Sequence, residues 1–418
     1  MTYIRIKGGK RICGEVTLQG SKNAVLPMIA ASILIRGVTV IENCPDITDV
    51  REMLMQLQQT GARYTFYDHV LVIDCSEVFL YDGEKKEASK TRGSVLFLGA
   101  FLGRFSEARI SYPGGCVIGS RPIDLHCELL RSLGVTISEQ EDALYACGRP
   151  AGAELFLRSP SVGATENAIL AAVCAKGRTV LHGAATEPEV SELCSFLVEA
   201  GAKISGIGTN ILAIDGVESL HEVCHLLTGD RIVAGTFLCA AMVTGGQITI
   251  HGTKGVSLTG FDRTLRRVGL YCEQRENCIL ATGIGKLFPV DLLVTAPYPG
   301  FPTDMQSLLM AVLALADGES RLCETVFESR FKIVPELNRM GAAIEVRDRM
   351  AVIHGVPVLT GATVMAKELR GGAALLLAGL VATGETRVYG CENIARGYEA
   401  ICERLCSLEA EIDQMEEA

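Results

Sequence analysis

Seven basic side chains hold related places along this sequence. Lys22, Arg92, Arg231 and Arg370 each sit in a short polar cluster that opens an Ala/Leu/Gly-rich run, and Arg121, Arg330 and Arg396 fall in loops further on. A helix start presents unpaired backbone N–H groups and the positive end of the macrodipole, so a cation placed there favours anions. Taken singly, each cation reads as a surface ion pair. As a set at equivalent positions they predict a cation-lined cleft for a small anionic substrate. A second arrangement, His221-Glu222-Val223-Cys224-His225, fits the zinc-protease phrase, which requires a helix. It runs directly into Thr228-Gly229-Asp230-Arg231, where a strand is expected. On a strand the two imidazoles are too far apart for the helical zinc geometry. No metal is expected.

The elements that position these side chains recur six times. The openings are Gly20-Ser21-Lys22-Asn23, Lys90-Thr91-Arg92, Ser161-Val162-Gly163-Ala164-Thr165, Asp230-Arg231, Pro302-Thr303-Asp304 and Glu368-Leu369-Arg370. Their spacing is roughly 70 residues, longer than the common solenoid periods. Each is followed by an apolar helix, a turn, a strand, a second polar loop, an amphipathic helix and a pair of strands. Gly61-Ala62, Gly134-Val135, Gly201-Ala202 and Gly341-Ala342 mark helix stops. The first helix of each unit is apolar all round and so buried, whereas the second is polar on one face.

The sixth repeat lacks its closing strands, and Tyr3-Ile4-Arg5-Ile6 and Glu15-Val16-Thr17-Leu18 look like the missing pair. The expected domains are therefore 21–229, with repeats one to three and a mobile loop at 112–122, and 1–20 with 230–418, holding repeats four to six. Two linking strands would suit a closing cleft. The fold class is α/β, with helices inside outward-facing sheets, unlike a doubly wound fold.

The net charge of −10 argues against general nucleic-acid binding. The charge-free run from Ile232 to Thr253 is broken by Gly245-Gly246-Gln247 and reads as a buried helix turning into a strand, not a membrane span. Met1 to Gly20 lacks the apolar core of a signal peptide. Sixteen scattered cysteines without a Cys-x-x-Cys pair suit a reducing cytosol.

Lys22-Asn23, the loop Pro113-Gly114-Gly115-Cys116-Val117-Ile118-Gly119-Ser120-Arg121-Pro122, Phe301-Pro302-Thr303-Asp304-Met305 and Arg396-Gly397-Tyr398-Glu399 together resemble the UDP-N-acetylglucosamine 1-carboxyvinyltransferases, within the enolpyruvyl transferase family. The resemblance spans essentially the whole chain. It implies a fold of two inverse α/β barrels of three repeats each, joined by a two-stranded hinge. It also implies transfer of the enolpyruvyl group of phosphoenolpyruvate to the 3-hydroxyl of UDP-N-acetylglucosamine, the first committed step of peptidoglycan synthesis, without metal or organic cofactor.

The implied ligands of phosphoenolpyruvate are Lys22, Asn23, Arg121 and Arg396, with Arg92 and Arg370 close by; guanidinium forks suit its phosphate and carboxylate. Cys116 matches the family's reactive cysteine, which protonates the methylene carbon, can bond to the substrate, and is alkylated by fosfomycin. A neighbouring Arg121 would favour its thiolate. Asp304 matches the carboxylate that takes or positions the proton of the sugar hydroxyl; capping of its own helix is compatible with that role. For the nucleotide sugar, the resemblance implies Arg121, Pro122, Ile123, Asp124, Leu125 and His126 at uridine, Ser161, Val162 and Gly163 at the diphosphate, and Val326, Phe327 and Asp304 at the sugar, with Arg330 nearby and Arg92 as a further ligand. Glu187 and Glu189 match a charged loop near the cleft. The partners implied are the two substrates, with no nucleic acid or membrane, and a monomer or weak oligomer in the cytoplasm.

Two departures stand out. Ser159 and Pro160 occupy places where some members carry Lys, with Arg158 preceding, and Glu368 stands where Asp is more usual. The alternatives are a 3-phosphoshikimate 1-carboxyvinyltransferase, not expected to carry the Gly114-Gly115-Cys116 loop, and a catalytically silent regulatory paralogue.

Overall fold

A computed structural model describes residues 2–80, 91–112, 114, 118, 119, 122–139 and 143–416. The chain divides into two compact units. One, here the Lys22 unit, holds the described parts of Gly20–Cys116 and Pro122–Thr228. The other, the Asp304 unit, holds the described parts of Met1–Gln19, Val117–Arg121 and Gly229–Ala418.

In the Lys22 unit the helices Lys22–Ala31, Leu96–Phe105 and Val162–Ala172 pack on one another. They are buried nearly all round, as sequences with little amphipathic contrast must be. The helix Thr48–Gln58 differs: it buries Val50, Met53, Leu54 and Leu57, one stripe at three- and four-residue spacing. Strands alternate, as in Val38–Glu42, where Thr39 and Ile41 face the core. One sheet runs Val223–Leu226, Val38–Glu42, Val70–Asp74, Arg63–Tyr67. Its hairpin is antiparallel, and Val223–Leu226 adds in parallel with Val223 opposite Thr39. A second runs Lys203–Ser205, Ile211–Asp215, Arg178–His182, Glu154–Phe156, by the same rule. The third has Glu107–Ser111, Ala143–Cys147 and Thr136–Glu139 among the described residues.

The Asp304 unit repeats the scheme. The helices Arg231–Thr244, Thr303–Leu313 and Leu369–Val381 form its buried centre. Thr2–Lys7 is sandwiched between Glu385–Tyr389 and Glu411–Glu416, antiparallel to both, with Thr2 opposite Glu416. Cys13–Thr17 lies parallel to Gln247–His251. The charge-free run is a buried helix ending at Gly245, left-handed at φ 64°, followed by that strand. Among the described residues no helix is long and apolar enough to cross a membrane.

Candidate functional site

The six repeat openings are less alike than their sequences suggest. Asp230 caps its own helix, Oδ1 accepting from Ile232 N at 2.8 Å and Val233 N at 3.1 Å. Glu368 accepts from Arg370 N at 2.8 Å and from Gly371 N. Ser161 accepts from Ala164 N, and Thr91 from Gly93 N. At these four starts a side chain answers N–H groups that would otherwise serve an anion. The helices beginning at Lys22 and Thr303 have no capping side chain. Asp304, expected as a possible cap, points its carboxylate elsewhere.

Lys22 opens its helix buried, with Nζ 2.7 Å from the buried Asp49 Oδ2. Asp49 lies in the first turn of Thr48–Gln58. The half-buried Asn23 follows Lys22. Arg92 Nη2 donates to Pro122 O at 3.3 Å, which joins it to the Pro122–His126 stretch. Ile123 and Leu125 are half-buried there, and His126 is buried.

His126 packs directly against Gly163 and bonds to Asn167 further along the same helix. Asn167 Oδ1 accepts from Gly99 N at 2.6 Å, so Nδ2 is its donor end, giving to Val95 O at 2.9 Å and to His126 Nδ1 at 3.0 Å. A neutral His126 therefore carries its proton on Nε2. A Cβ on Gly163 would stand 3.1 Å from His126 Cε1 and 3.4 Å from Nε2. A side chain at 163 would fit only if the His126 ring shifted by a few tenths of an ångström. The structure thus brings Arg92, Pro122, His126 and Gly163 into one neighbourhood, with Ser161 and Val162 half-buried beside it. Asp124 is exposed and paired with Arg158, the residue standing ahead of the missing lysine.

In the Asp304 unit one carboxylate is held by two arginines. Asp304 pairs with Arg330 through Oδ1 and with Arg370 Nη2 through Oδ2 at 3.1 Å. Both arginine side chains are 2% exposed and Asp304 is 27% exposed, so the carboxylate is the accessible end. Glu368 Oε2 lies 3.8 Å from Arg330 Nη1. Arg330, expected near the sugar, is a buried brace for Asp304. Arg370 stacks on Tyr398 at 5.4 Å, and its Nε and Nη1 have no hydrogen-bond partner among the described residues. Burial pulls the Arg370 pKa down, yet Asp304 and then Tyr398 more than offset this and raise it.

The half-buried Arg396 precedes a tightly held stretch. Gln19 Nε2 donates to Gly397 O at 3.1 Å and Gln19 Oε1 accepts from Glu399 N at 2.9 Å. Tyr398 OH lies 2.8 Å from Thr236 Oγ1. Val326 and Phe327 are half-buried, and their N–H groups point at Glu324. Gln19, Asp49, Asn167, Thr236 and Glu324 escaped the sequence reading. Only Asp49 had a signal, its place in a second polar loop. Cys116 and Arg121 lie outside the described residues.

The zinc-like phrase runs into the strand Val223–Leu226; His225 Nδ1 is 2.7 Å from Glu199 and His221 Nδ1 is 2.9 Å from Glu222 O. Among the described residues no cluster suits a metal.

The sequence model of EPSP synthase (3-phosphoshikimate 1-carboxyvinyltransferase) matches residues 6–405. The chain belongs to this family of enolpyruvyl transferases. Within it, a UDP-N-acetylglucosamine 1-carboxyvinyltransferase 2 from Caldanaerobacter subterraneus subsp. tengcongensis is 45% identical over 413 residues, 99% of each chain. A UDP-N-acetylglucosamine 1-carboxyvinyltransferase from Novosphingobium aromaticivorans is 43% identical, again over 99% of each. Among solved structures, the enolpyruvyl transferase NikO from Streptomyces tendae superposes with a TM-score of 0.86 at 27% identity over 99% of both chains. EPSP synthase from Acinetobacter baumannii gives 0.74 at 16% identity, a likeness of fold.

Proposed function

We propose that this enolpyruvyl transferase moves the enolpyruvyl group of phosphoenolpyruvate to the 3-hydroxyl of UDP-N-acetylglucosamine and releases phosphate, the committing step of peptidoglycan synthesis. The observation that carries the reading is Asp304, an accessible carboxylate on an uncapped helix start, fixed by two buried arginines, of which Arg370 leaves Nε and Nη1 without a hydrogen-bond partner among the described residues. A positioned base beside a cation that can still take an anion suits addition to an anionic enol ester. The full-length relatives above 40% identity point to the nucleotide sugar as acceptor.

The roles are those the family resemblance implies, and the chemistry supports them. Lys22, Arg92, Arg121, Arg370 and Arg396 bind the phosphate and carboxylate of phosphoenolpyruvate, and Asn23 hydrogen-bonds the reacting hydroxyl. Asp304 accepts the proton as the sugar oxygen bonds to the central carbon, while Cys116 delivers a proton to the methylene carbon. The resulting phospholactyl ketal loses phosphate through cleavage of its C–O bond, and a proton leaves the new methyl group to restore the enol ether. Pro122, Ile123, Asp124, Leu125 and His126 hold uridine. Ser161, Val162 and Gly163 hold the diphosphate, toward which the Nε2–H of His126 would donate. Val326 and Phe327 line the sugar.

Each unit is read as one inverse α/β barrel and one domain of the enzyme, a reading supported by three buried helices within strands that alternate buried and exposed. Free cysteines throughout the described residues suit the reducing cytosol, where both substrates would be met.

The test is phosphate release from phosphoenolpyruvate with UDP-N-acetylglucosamine against shikimate 3-phosphate, with and without fosfomycin. Release only with the nucleotide sugar, abolished by fosfomycin, is expected. Release with shikimate 3-phosphate alone would overturn the acceptor, and binding without turnover would indicate a silent paralogue.

A further inference from the structure

Glu324 is 1% exposed and carries its carboxylate inside the Asp304 unit. An isolated carboxylate in such a place is costly unless it is fully hydrogen-bonded. Here four neutral donors surround it. Oε1 accepts from Thr295 Oγ1 at 2.8 Å, from Val326 N at 2.8 Å and from Phe327 N at 3.2 Å. Oε2 accepts from Thr303 Oγ1 at 2.9 Å. The backbone around it is held too: Glu324 N donates to Arg349 O at 2.9 Å, and Arg349 Nη1 donates to Thr325 O at 2.8 Å.

The three segments that meet on this carboxylate are distinct. Thr295 ends the strand region before the Phe301 turn, Thr303 opens the helix that carries Asp304, and Val326-Phe327 form the turn after Glu319–Cys323. Among the described residues the Glu324 carboxylate is hydrogen-bonded to neither Asp304 nor Arg330. It holds the residue immediately before Asp304 and both residues read as lining the sugar. We infer that Glu324 is a positioning residue that fixes the distance between the base Asp304 and the Val326–Phe327 wall, and that Thr303 is the link through which it does so. The inference rests on the function proposed above. A hydrogen-bonded tie of this kind holds a reacting group to a fraction of an ångström, and misplacement by 1 Å is costly in rate.

Thr303→Val removes one hydroxyl at a half-buried position and leaves the other three bonds to Glu324 in place. Thr303→Ser restores the hydroxyl. Steady-state kinetics with UDP-N-acetylglucosamine and phosphoenolpyruvate are read beside thermal melts. For Thr303→Val, kcat/KM for the nucleotide sugar is expected to fall roughly tenfold, while KM for phosphoenolpyruvate stays within about twofold. Thr303→Ser is expected to match the wild type. A Thr303→Val enzyme that equals Thr303→Ser, or one in which both substrates' constants move together, overturns the inference. Glu324→Gln, which keeps an amide oxygen for three donors and an NH2 for the Thr303 hydroxyl, should stay closer to wild type than Thr303→Val; the reverse order also overturns it. Failure of the function itself reads differently, because the wild-type enzyme would then release no phosphate with these substrates.

Discussion

Replacing Arg370 by Met should cost this protein much activity and little stability. Breaking one side of a buried ion pair ordinarily destabilises by about 3–5 kcal/mol, because the remaining charge is stranded. Loss of the contact with Tyr398, 5.4 Å from the guanidinium, adds about 0.5–2 kcal/mol. Two features oppose this. Asp304 keeps Arg330 on its other oxygen and is not stranded. The Nε and Nη1 groups of Arg370, buried without partners among the described residues, each cost about 1–3 kcal/mol in the unliganded protein, and Met removes both. The terms nearly cancel, leaving a net loss of about 0–2 kcal/mol and a Tm lowered by no more than about 4 °C. Catalysis has no such offset. Losing a desolvated charge contact to the substrate costs about 2 kcal/mol or more, at least roughly thirtyfold in kcat/KM for phosphoenolpyruvate. Differential scanning fluorimetry and steady-state phosphate release read the two effects on one preparation. A large fall in Tm with an unchanged kcat/KM would refute the reasoning, because Arg370 would then be a structural cation whose donors are already satisfied.

Three further outcomes are expected. Gly163→Ala places a methyl 3.1 Å from His126 Cε1, so it should raise KM for the nucleotide sugar severalfold, of the order of 1 kcal/mol, with KM for phosphoenolpyruvate unchanged in the same assay. His225 is buried, which lowers its pKa, but the Glu192 carboxylate 3.7 Å from Nε2 and the hydrogen bond to Glu199 prevail and raise it above 6.5. A pKa raised on folding contributes stability that is complete below 6.5 and is lost as pH rises through the folded value. Denaturation midpoints should therefore fall across that window in the wild type and stay flat in His225→Gln; a parallel decline in both excludes His225. Cys116→Asp should retain turnover yet show no fosfomycin adduct by intact mass, and an adduct on residue 116 of that variant would undo the alkylation assignment.

Glycines carried much of what the sequence revealed about the fold. Gly61, Gly134, Gly201 and Gly341 all adopt left-handed φ, between 84° and 99°, where a side chain is strained, so their recurrence marked helix stops for a single physical reason. The polar clusters were harder to read. The clusters holding Arg231 and Arg370 read as parts of an anion site, but Asp230 and Glu368 beside them bind their own helices' N–H groups, and spacing alone does not distinguish a capped helix start from an anion-binding one. Supporting residues were the least legible. Gln19 grips Gly397 and Glu399 across nearly the whole chain, and Asn167 sets the tautomer of His126 from another helix. Such bonds depend on tertiary approach and leave no local pattern. Glu324 was invisible for a different reason: a buried carboxylate satisfied by hydroxyls and amides has the same letter as a solvated one.

The placement of Thr2–Lys7 between Glu385–Tyr389 and Glu411–Glu416 also sets an order of assembly on the ribosome. Among the described residues every ladder of the Lys22 unit joins residues within Gly20–Thr228, so that unit can close while synthesis continues. The first strand made must wait for the last ones. At about 5–20 residues per second, roughly 20 to 80 seconds pass before its partners emerge, and its N–H and C=O edges stay open to stray pairing throughout. The charged residues Arg5 and Lys7 on that strand help to keep such an edge from sticking to others. A nascent chain stalled before Glu385 would carry a complete Lys22 unit and an Asp304 unit unable to form the sheet on Thr2–Lys7.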